Sequence, residues 1–223
     1  MYKYLLFDAD NTLLDFDAAE KAALKETLVR CPLGFSEEIY ERYHVINDIE
    51  WKKLEKGETT RDKLRIDRFM KLLLEYGIDG DIYGELCADT YTQYLSKQGQ
   101  LLENAEKVLS CLSKKYDCYI CTNGITDVQM DRLEHTPLLP YVKKVFVSED
   151  VGFAKPSPMF FQRVFEYIGD NDPKNYLVIG DSLSSDIAGA NSCNMDSVWI
   201  SDGESDLPTY RIGSILDIYS ILD

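Results

Sequence analysis

The sequence predicts an α/β fold, with a Rossmann-like parallel sheet as its core and an inserted helical domain. Three patterns support this. Short apolar runs alternate with helical segments from about residue 101 onward, as in parallel sheets covered by helices on both faces. A long block before that point is helical throughout. The first apolar run, Tyr4 to Phe7, ends in two carboxylates, Asp8 and Asp10, where open α/β sheets collect their chemistry.

The apolar runs predict five strands, at Tyr4–Phe7, Tyr116–Cys121, Lys144–Val147, Tyr176–Ile179 and Ser197–Ile200, the last of these being the final strand. Helical spacing between and after them predicts helices over Asn104–Lys114, Asp127–His135, Ser184–Ser192 and Ile215–Leu222. Pro156 is expected in the first turn of a further helix that ends near Ile168. This alternation places the carboxyl ends of all the strands along one edge of the sheet.

The block from about Asp17 to Lys97 has helical periodicity with breaks at Pro32, Gly57 and Gly77. It predicts about four helices and is too long for an ordinary crossover between two parallel strands. We therefore expect residues 16–98 to form a helical domain inserted into a core of residues 1–15 and 99–223.

The composition limits the classes of partner. Lys and Arg total 24 against 39 Asp and Glu, so the formal net charge is −15, which disfavours binding to a nucleic-acid polymer. A small phosphate ester is still compatible, because a bound divalent cation inverts the local field. The N-terminus does not resemble a signal peptide and no stretch resembles a membrane span, so we expect a cytoplasmic protein that does not associate with membranes.

The six cysteines do not form a recognisable framework. Cys118 and Cys121 have C-x-x-C spacing, but on a strand that spacing directs the two thiols to opposite faces. Buried, reduced structural thiols are therefore expected, in agreement with a cytoplasmic location.

Four polar clusters follow predicted strands: Asp8 with Asp10, Thr122-Asn123-Gly124, Lys155, and Gly180-Asp181 with Asp186. Carboxylates gathered at one sheet edge favour a hard cation such as Mg²⁺. Lys155 and the metal would neutralise a phosphate, and Thr122 with the amides of Asn123 and Gly124 would donate to its oxygens. Asp8 could then attack phosphorus, while Asp10 protonates the leaving oxygen and later activates water. The set predicts phosphoryl transfer.

The segments DADNTL, TNG, Lys155-Pro156 and GDSLSSD resemble the four signature motifs of the haloacid dehalogenase (HAD) superfamily. The resemblance implies that Asp8 is the nucleophile, Asp10 the general acid/base, and Thr122 and Lys155 the phosphate-binding residues. It also implies a Mg²⁺ site formed by Asp8, Asp181, the backbone carbonyl of Asp10 and the nearby Asp186. The helical insertion resembles the C1-type cap of the family, which implies closure over small substrates.

Within the superfamily, members that act as dehalogenases lack the second aspartate of the first motif, whereas this chain has Asp10. The chain is similar to nucleotidases for noncanonical pyrimidine monophosphates in FDADNTLLDF, in the cap from Val45 to Thr59, in TNG followed by Gln129 and Arg132, and in SEDVGFAKP. This similarity implies a small phosphorylated metabolite, a nucleotide, as substrate, with Phe16, Asn47 and Trp51 as candidate contacts to the base. Packing within the cap is the alternative role for Trp51.

Two other functions stay open at this level. One is a phosphatase or phosphomutase for phosphoglycolate or a small sugar phosphate, built on the same core. The other is a phosphate-dependent regulatory module, which also combines an acceptor aspartate with acidic, Thr and Lys partners, although Asp10 favours rapid turnover. A monomer or a homodimer is expected.

Overall fold

The computed structural model describes residues 1–222 of the chain. The chain divides into two compact units. The first contains Met1–Phe16 and the chain from Gly99 onward, and the second contains Asp17–Gln98. The observed division falls within one residue of each boundary expected from the sequence, since Phe16 belongs to the first unit.

Over the described residues, the first unit is built on a six-stranded parallel sheet in the order β3-β2-β1-β4-β5-β6. The strands are β1 (Tyr4–Phe7), β2 (Asp117–Thr122), β3 (Lys144–Val147), β4 (Tyr176–Gly180), β5 (Asp196–Ile200) and β6 (Tyr210–Ile212). β1 lies between β2 and β4, with Phe7 in register with Ile120 on one side and Ile179 on the other. The residues that follow β1, β2 and β4 therefore lie side by side at one edge.

Both faces of the sheet are buried, which explains why its strands are continuous apolar runs. On one face, Leu5, Phe7 and Ile120 pack with residues of the helix α5 (Ala105–Leu112). On the other face, Leu6 and Val178 belong to a cluster with residues of the helix α8 (Pro158–Ile168). The predicted α/β fold with a parallel sheet is confirmed.

The remaining helices of this unit are α6 (Thr126–Glu134), α7 (Ser148–Val151), α9 (Ala188–Ser192) and α10 (Tyr219–Leu222). Short 3₁₀ segments cover Leu139–Tyr141, Pro173–Asn175 and Ile215–Ile218, and a π-helical turn covers Leu183–Ile187 just before α9. The wide π turn contains Asp186, a position typical of functional sites.

Two details of the core differ from the sequence prediction. The helix expected to start at Pro156 begins at Pro158, with Ser157 as its N-cap, because the Ser157 hydroxyl accepts a hydrogen bond from the Met159 amide. The strand predicted at Ser197–Ile200 is observed as β5, but it is not the last strand, because β6 follows it along the chain and pairs with it. β6 has three residues and carries the exposed side chains of Tyr210 and Arg211, so it gives no apolar run.

The second unit contains four helices within its described residues: α1, which starts at the boundary (Phe16–Leu28), α2 (Glu37–Glu55), α3 (Arg61–Glu75) and α4 (Gly80–Leu95). Ser36, Thr60 and Asp79 cap the N-termini of α2, α3 and α4 by accepting hydrogen bonds from backbone amides. Its core includes the mutually packed rings of Tyr43, Phe69 and Tyr91. No helix in the described part of the chain is long and apolar enough to cross a membrane.

The cysteines follow the sequence expectation only in part. Cys118 and Cys121 are buried on opposite faces of the sheet, and burial raises the pKa of each thiol to about 12. Cys111 is exposed rather than buried. Cys31 and Cys87 are joined by a disulfide between the end of α1 and α4, so the expectation that all six thiols are reduced is wrong for this pair.

Candidate active site

The side chains that follow β1, β2 and β4 meet at the carboxyl edge of the sheet. Asp8 comes directly after β1, and its amide donates to the carbonyl oxygen of Ile179 over 2.8 Å, which continues the ladder toward β4. Thr122 is the last residue of β2, and Asp181 follows Gly180 at the end of β4. The parallel register therefore brings together residues that are more than 170 positions apart in the sequence.

Lys155 is the centre of the site. Its Nζ donates to Oδ1 of Asp8 and Oδ1 of Asp186, each over 2.6 Å, and to the carbonyl oxygen of Cys121 over 2.7 Å. These three acceptors match the three donors of an ammonium group, which explains how a lysine that is only 1% exposed remains charged. Burial opposes that charge, but the carboxylates of Asp186 and Asp8 outweigh it and raise the pKa of Lys155.

Asp8, Asp181 and Asp186 form an acidic cluster in which one oxygen from each residue lies within 4.8 Å of the others. Burial, followed by the charge of Asp186, raises the pKa of Asp181 to about 7. Burial also raises the pKa of Asp8, against the opposing effect of Lys155. Three carboxylates facing one ammonium leave the site with an excess of negative charge and only oxygen ligands, a donor set that fits Mg²⁺.

Gly180, the last residue of β4, lies too close to Asp186 for position 180 to carry a side chain. A Cβ on Gly180 would overlap the carboxylate of Asp186 and lie 2.7 Å from its Cβ. Oδ2 of Asp186 accepts a hydrogen bond from the Ser182 amide over 3.2 Å. On the other side of the loop after β4, the indole Nε1 of Trp199 donates to the carbonyl oxygen of Asp181 over 2.7 Å. Gly180 and Trp199 thus fix the loop that carries Asp181.

The TNG segment after β2 has two functions in the structure. The Thr122 hydroxyl accepts from the Gly124 amide over 3.1 Å, as part of a turn at the end of the strand. The Asn123 side chain donates to the carbonyl oxygen of Lys155 and accepts from the Lys155 amide, both over 2.8 Å. Asn123 therefore holds the backbone of Lys155, a role that the sequence analysis did not predict.

Asp10 has two partners on α6 that the sequence analysis had named only as part of a family resemblance. Nε2 of Gln129 donates to Oδ2 of Asp10 over 2.7 Å, and Nη1 of Arg132 donates to Oδ1 over 2.5 Å. Their spacing of three residues on a predicted helix places them on one face, so the pair could have been recognised as a unit. The Asp10 side chain is 28% exposed.

The three candidate base contacts lie in different environments. Phe16 is half-buried in the first unit, with the Arg132 guanidinium 5.5 Å from its ring centroid. Trp51 is half-buried on α2. Asn47 is buried within the helical unit, where Nδ2 donates to Glu20 over 2.7 Å and Oδ1 accepts from Arg68 over 2.8 Å. Its amide is therefore already engaged by neighbouring helices.

A carboxylate directly after β1, a second carboxylate two residues later, a buried lysine and an acidic cluster lie at one sheet edge, and these are the groups that phosphoryl transfer through an aspartate requires. The model of the haloacid dehalogenase-like hydrolase family matches residues 2–194. The chain belongs to this family, as its four motifs predict, and the prediction that it is an enzyme, a phosphoric monoester hydrolase, is confirmed.

Three similar proteins have names that bear on function. The HAD-hydrolase YfnB of Bacillus subtilis (strain 168) is 37% identical over 100% of this chain and 96% of its own length. The pyrimidine 5′-nucleotidase PynA of Streptococcus pneumoniae (strain ATCC BAA-255 / R6) is also 37% identical, over 100% of this chain and 95% of its own length. The pyrimidine 5′-nucleotidase YjjG of Escherichia coli (strain K12) is 26% identical over 99% and 98%.

A crystal structure of YfnB superposes on this chain with a TM-score of 0.92, over 100% of this chain and 99% of that one. That structure is described as bound to magnesium and as revealing interdomain movement. The similarity confirms the fold over the whole described chain.

Proposed function

We propose that the enzyme is a Mg²⁺-dependent 5′-nucleotidase that hydrolyses nucleoside monophosphates, with pyrimidine nucleotides preferred. The observation that carries the proposal is the joint placement of Asp8, Asp10 and Lys155 at the acidic edge of the sheet. The names of PynA and YjjG support the substrate class. We also propose, as predicted from the sequence, that the enzyme is cytoplasmic and that it is a monomer or a homodimer. Its substrates would be small phosphorylated metabolites.

The reaction has two balanced steps. In the first, a carboxylate oxygen of Asp8 attacks phosphorus, the bond from phosphorus to the ester oxygen breaks, and the leaving oxygen takes the proton of the Asp10 carboxyl group. In the second, water attacks the aspartyl-phosphate while Asp10 takes its proton, and the bond from phosphorus to Asp8 breaks. Inorganic phosphate leaves and both residues return to their starting states.

Lys155 neutralises charge between Asp8 and the incoming phosphate. The Thr122 hydroxyl and the Asn123 amide are the proposed donors to its remaining oxygens, and the Gly124 amide would join them by leaving the Thr122 hydroxyl to which it donates in this structure. Asp8, Asp181 and Asp186, with the Asp10 carbonyl, would hold Mg²⁺, which supplies charge stabilisation when bound. We further propose that the ring of Phe16 offers stacking surface to the base, and we keep Trp51 on α2 as a separate candidate contact. Since its amide is engaged by Glu20 and Arg68, Asn47 would act by holding α2.

The test is phosphate release with Mg²⁺ from a panel containing dUMP, dTMP, UMP, AMP, phosphoglycolate and hexose phosphates. Selective release from pyrimidine monophosphates is expected. Asp8→Asn should abolish turnover on every ester, because an amide oxygen is a poor nucleophile. Release from the sugar phosphates or phosphoglycolate alone would refute the nucleotidase while leaving the catalytic residues in place. A wild-type rate for Asp8→Asn would refute the mechanism itself.

A further inference from the structure

Asp10 is held by two side chains of α6 that lie outside the four family motifs. Gln129 binds one of its carboxylate oxygens and Arg132 binds the other, over 2.7 and 2.5 Å. Nη1 of Arg132 also donates to Oε1 of Gln129 over 2.9 Å, so the two donors are fixed to each other. We propose that Gln129 and Arg132 are positioning residues that set the orientation of Asp10 for proton transfer. The inference rests on the proposed role of Asp10 as general acid/base.

Burial of Arg132 supports a functional reason for the pair. The residue is 1% exposed, and its guanidinium lies against the carboxylate of Asp10 and the ring of Phe16. Removing a guanidinium from water is costly, and a buried ion pair is often no more stable than apolar side chains of similar size. Packing alone therefore gives no reason for an arginine here, whereas fixing a carboxylate in one orientation requires a donor of this kind.

Gln129 links Asp10 to the proposed phosphate-binding loop. Its Nε2 donates to the Thr122 hydroxyl over 2.7 Å as well as to Asp10. The side chain crosses Gly124 so closely that a Cβ at that position would lie 2.7 Å from the Gln129 Cδ. The absence of a side chain at position 124 thus leaves room for Gln129. One amide nitrogen couples the residue that transfers the proton to the residue proposed to bind the phosphate.

The consequence for the reaction is geometric. Asp8 is fixed by Lys155 and Asp10 is fixed by α6, so the two carboxylates keep a set orientation at the same sheet edge. Both oxygens of Asp10 accept hydrogen bonds, so its carboxyl group is held in one orientation. When Asp10 donates its proton to the leaving oxygen, the two donors still restrict where that proton is presented. Loss of the pair should slow both steps that use Asp10 and leave the attack by Asp8 intact.

Two esters separate these steps. An alkyl ester such as dUMP needs a proton on its leaving oxygen, whereas 4-nitrophenyl phosphate releases a stable phenolate without one. Rapid-mixing experiments should compare the initial burst of product with the later steady rate for the wild type, Arg132→Met, Gln129→Leu and Asp10→Asn. The matched control is Arg163→Met, which removes an exposed arginine paired with Glu166 on α8.

For Arg132→Met we expect nucleoside release from dUMP to fall on the order of 100-fold, the usual cost of misplacing a catalytic group. The burst of 4-nitrophenolate should keep its wild-type rate, followed by a slow steady phase as the aspartyl-phosphate accumulates. Arg132→Lys, which keeps one donor, should restore part of the dUMP rate. The double variant Asp10→Asn/Arg132→Met should lose no more than Asp10→Asn, because Arg132 acts through Asp10.

A merely structural role would give a different pattern. The proposal would be overturned if Arg132→Met lowered the rates on both esters equally, including the burst of 4-nitrophenolate. It would also be overturned if the rate losses of Asp10→Asn and Arg132→Met were additive in the double variant. Melting temperatures identify variants that fail to fold. The test needs one aryl and one alkyl ester that the wild type turns over. If the ester panel identifies a sugar phosphate as the substrate, that ester replaces dUMP, so failure of the nucleotidase proposal and failure of this one are separate results.

Discussion

At the scale of single residues, Gly180 is a position where a missing side chain determines the site. The Asp186 carboxylate occupies the space that a Cβ would need, and Asp186 in turn holds Lys155. Gly180→Ala should displace Asp186, lower the affinity for Mg²⁺ and reduce turnover. The added methyl group should also destabilise the fold by about 1–3 kcal/mol, the usual cost of overpacking. The Mg²⁺ dependence of the rate and the urea midpoint measure the two effects.

Gly213→Ala is the matched control, because its Cβ would meet only Oδ1 of Asp202, at 3.3 Å. This variant should keep both the wild-type Mg²⁺ dependence and the stability to within about 0.5 kcal/mol, as for most surface changes. If Gly180→Ala behaved like Gly213→Ala, the close approach of Asp186 to position 180 would not matter for the site.

The positions of individual site residues were most predictable where a polar residue comes directly after an apolar strand. The placement of Asp8, Thr122 and Asp181 at one edge follows from strands that end in polar residues, whereas Lys155 belongs to the loop after α7. The roles of Asn123 and Gln129 could not be predicted in the same way, because their side chains bind partners brought close only by folding. Asn123 reaches Lys155 across 32 positions, and Gln129 reaches Asp10 across 119.

At the scale of helices, α1 and α2 are joined by a buried carboxylate. Glu20 on α1 is fully buried and accepts hydrogen bonds from Nδ1 of His44 and Nδ2 of Asn47, both over 2.7 Å. Asn47 passes the connection on to Arg68 of α3 over 2.8 Å. A buried charge of this kind must keep its partners, since an uncompensated carboxylate in the core is strongly destabilising.

This arrangement predicts a pH-dependent stability. The hydrogen bond to Glu20 raises the pKa of His44 to about 9, whereas an unfolded histidine titrates near pH 6.5. A group whose pKa is higher in the folded state stabilises the fold fully below the unfolded pKa and loses that effect as the pH rises toward 9. The stability difference between the wild type and His44→Gln should therefore be largest near pH 6 and shrink toward pH 9.5 in urea denaturation.

His44 is 46% exposed, so salt should reduce the difference. His135→Gln is the control, since Nδ1 of His135 donates to the backbone oxygen of Asp131 rather than to a carboxylate. A His44→Gln difference that stays constant from pH 6 to 9.5 would rule out the proposed stabilisation by Glu20.

Elements with a clear pattern were predictable, whether long amphipathic helices or short apolar strands such as β1 and β3, and elements without such a pattern were not. α2 and α3 carry apolar residues at helical spacing over 19 and 15 residues, and the sequence located both. β6 is formed by three residues on the sheet edge, and its pairing with β5 depends on the fold rather than on its own pattern. The Cys31–Cys87 disulfide likewise joins positions 56 residues apart that only the folding of the helical unit brings together.

At the scale of the whole molecule, the net charge of −15 means that any added cation reduces self-repulsion and raises stability. A specific Mg²⁺ site adds a term that depends on ligand affinity, about 2.7 kcal/mol when the concentration is 100 times the dissociation constant. Melting curves of the wild type should therefore shift upward with millimolar MgCl₂ by more than with KCl at the same ionic strength. Asp181→Asn removes one carboxylate from the cluster and should lose this extra shift while keeping the general response to salt. Equal shifts with the two salts would show that the cluster binds no Mg²⁺, and an undiminished extra shift in Asp181→Asn would place the ion elsewhere.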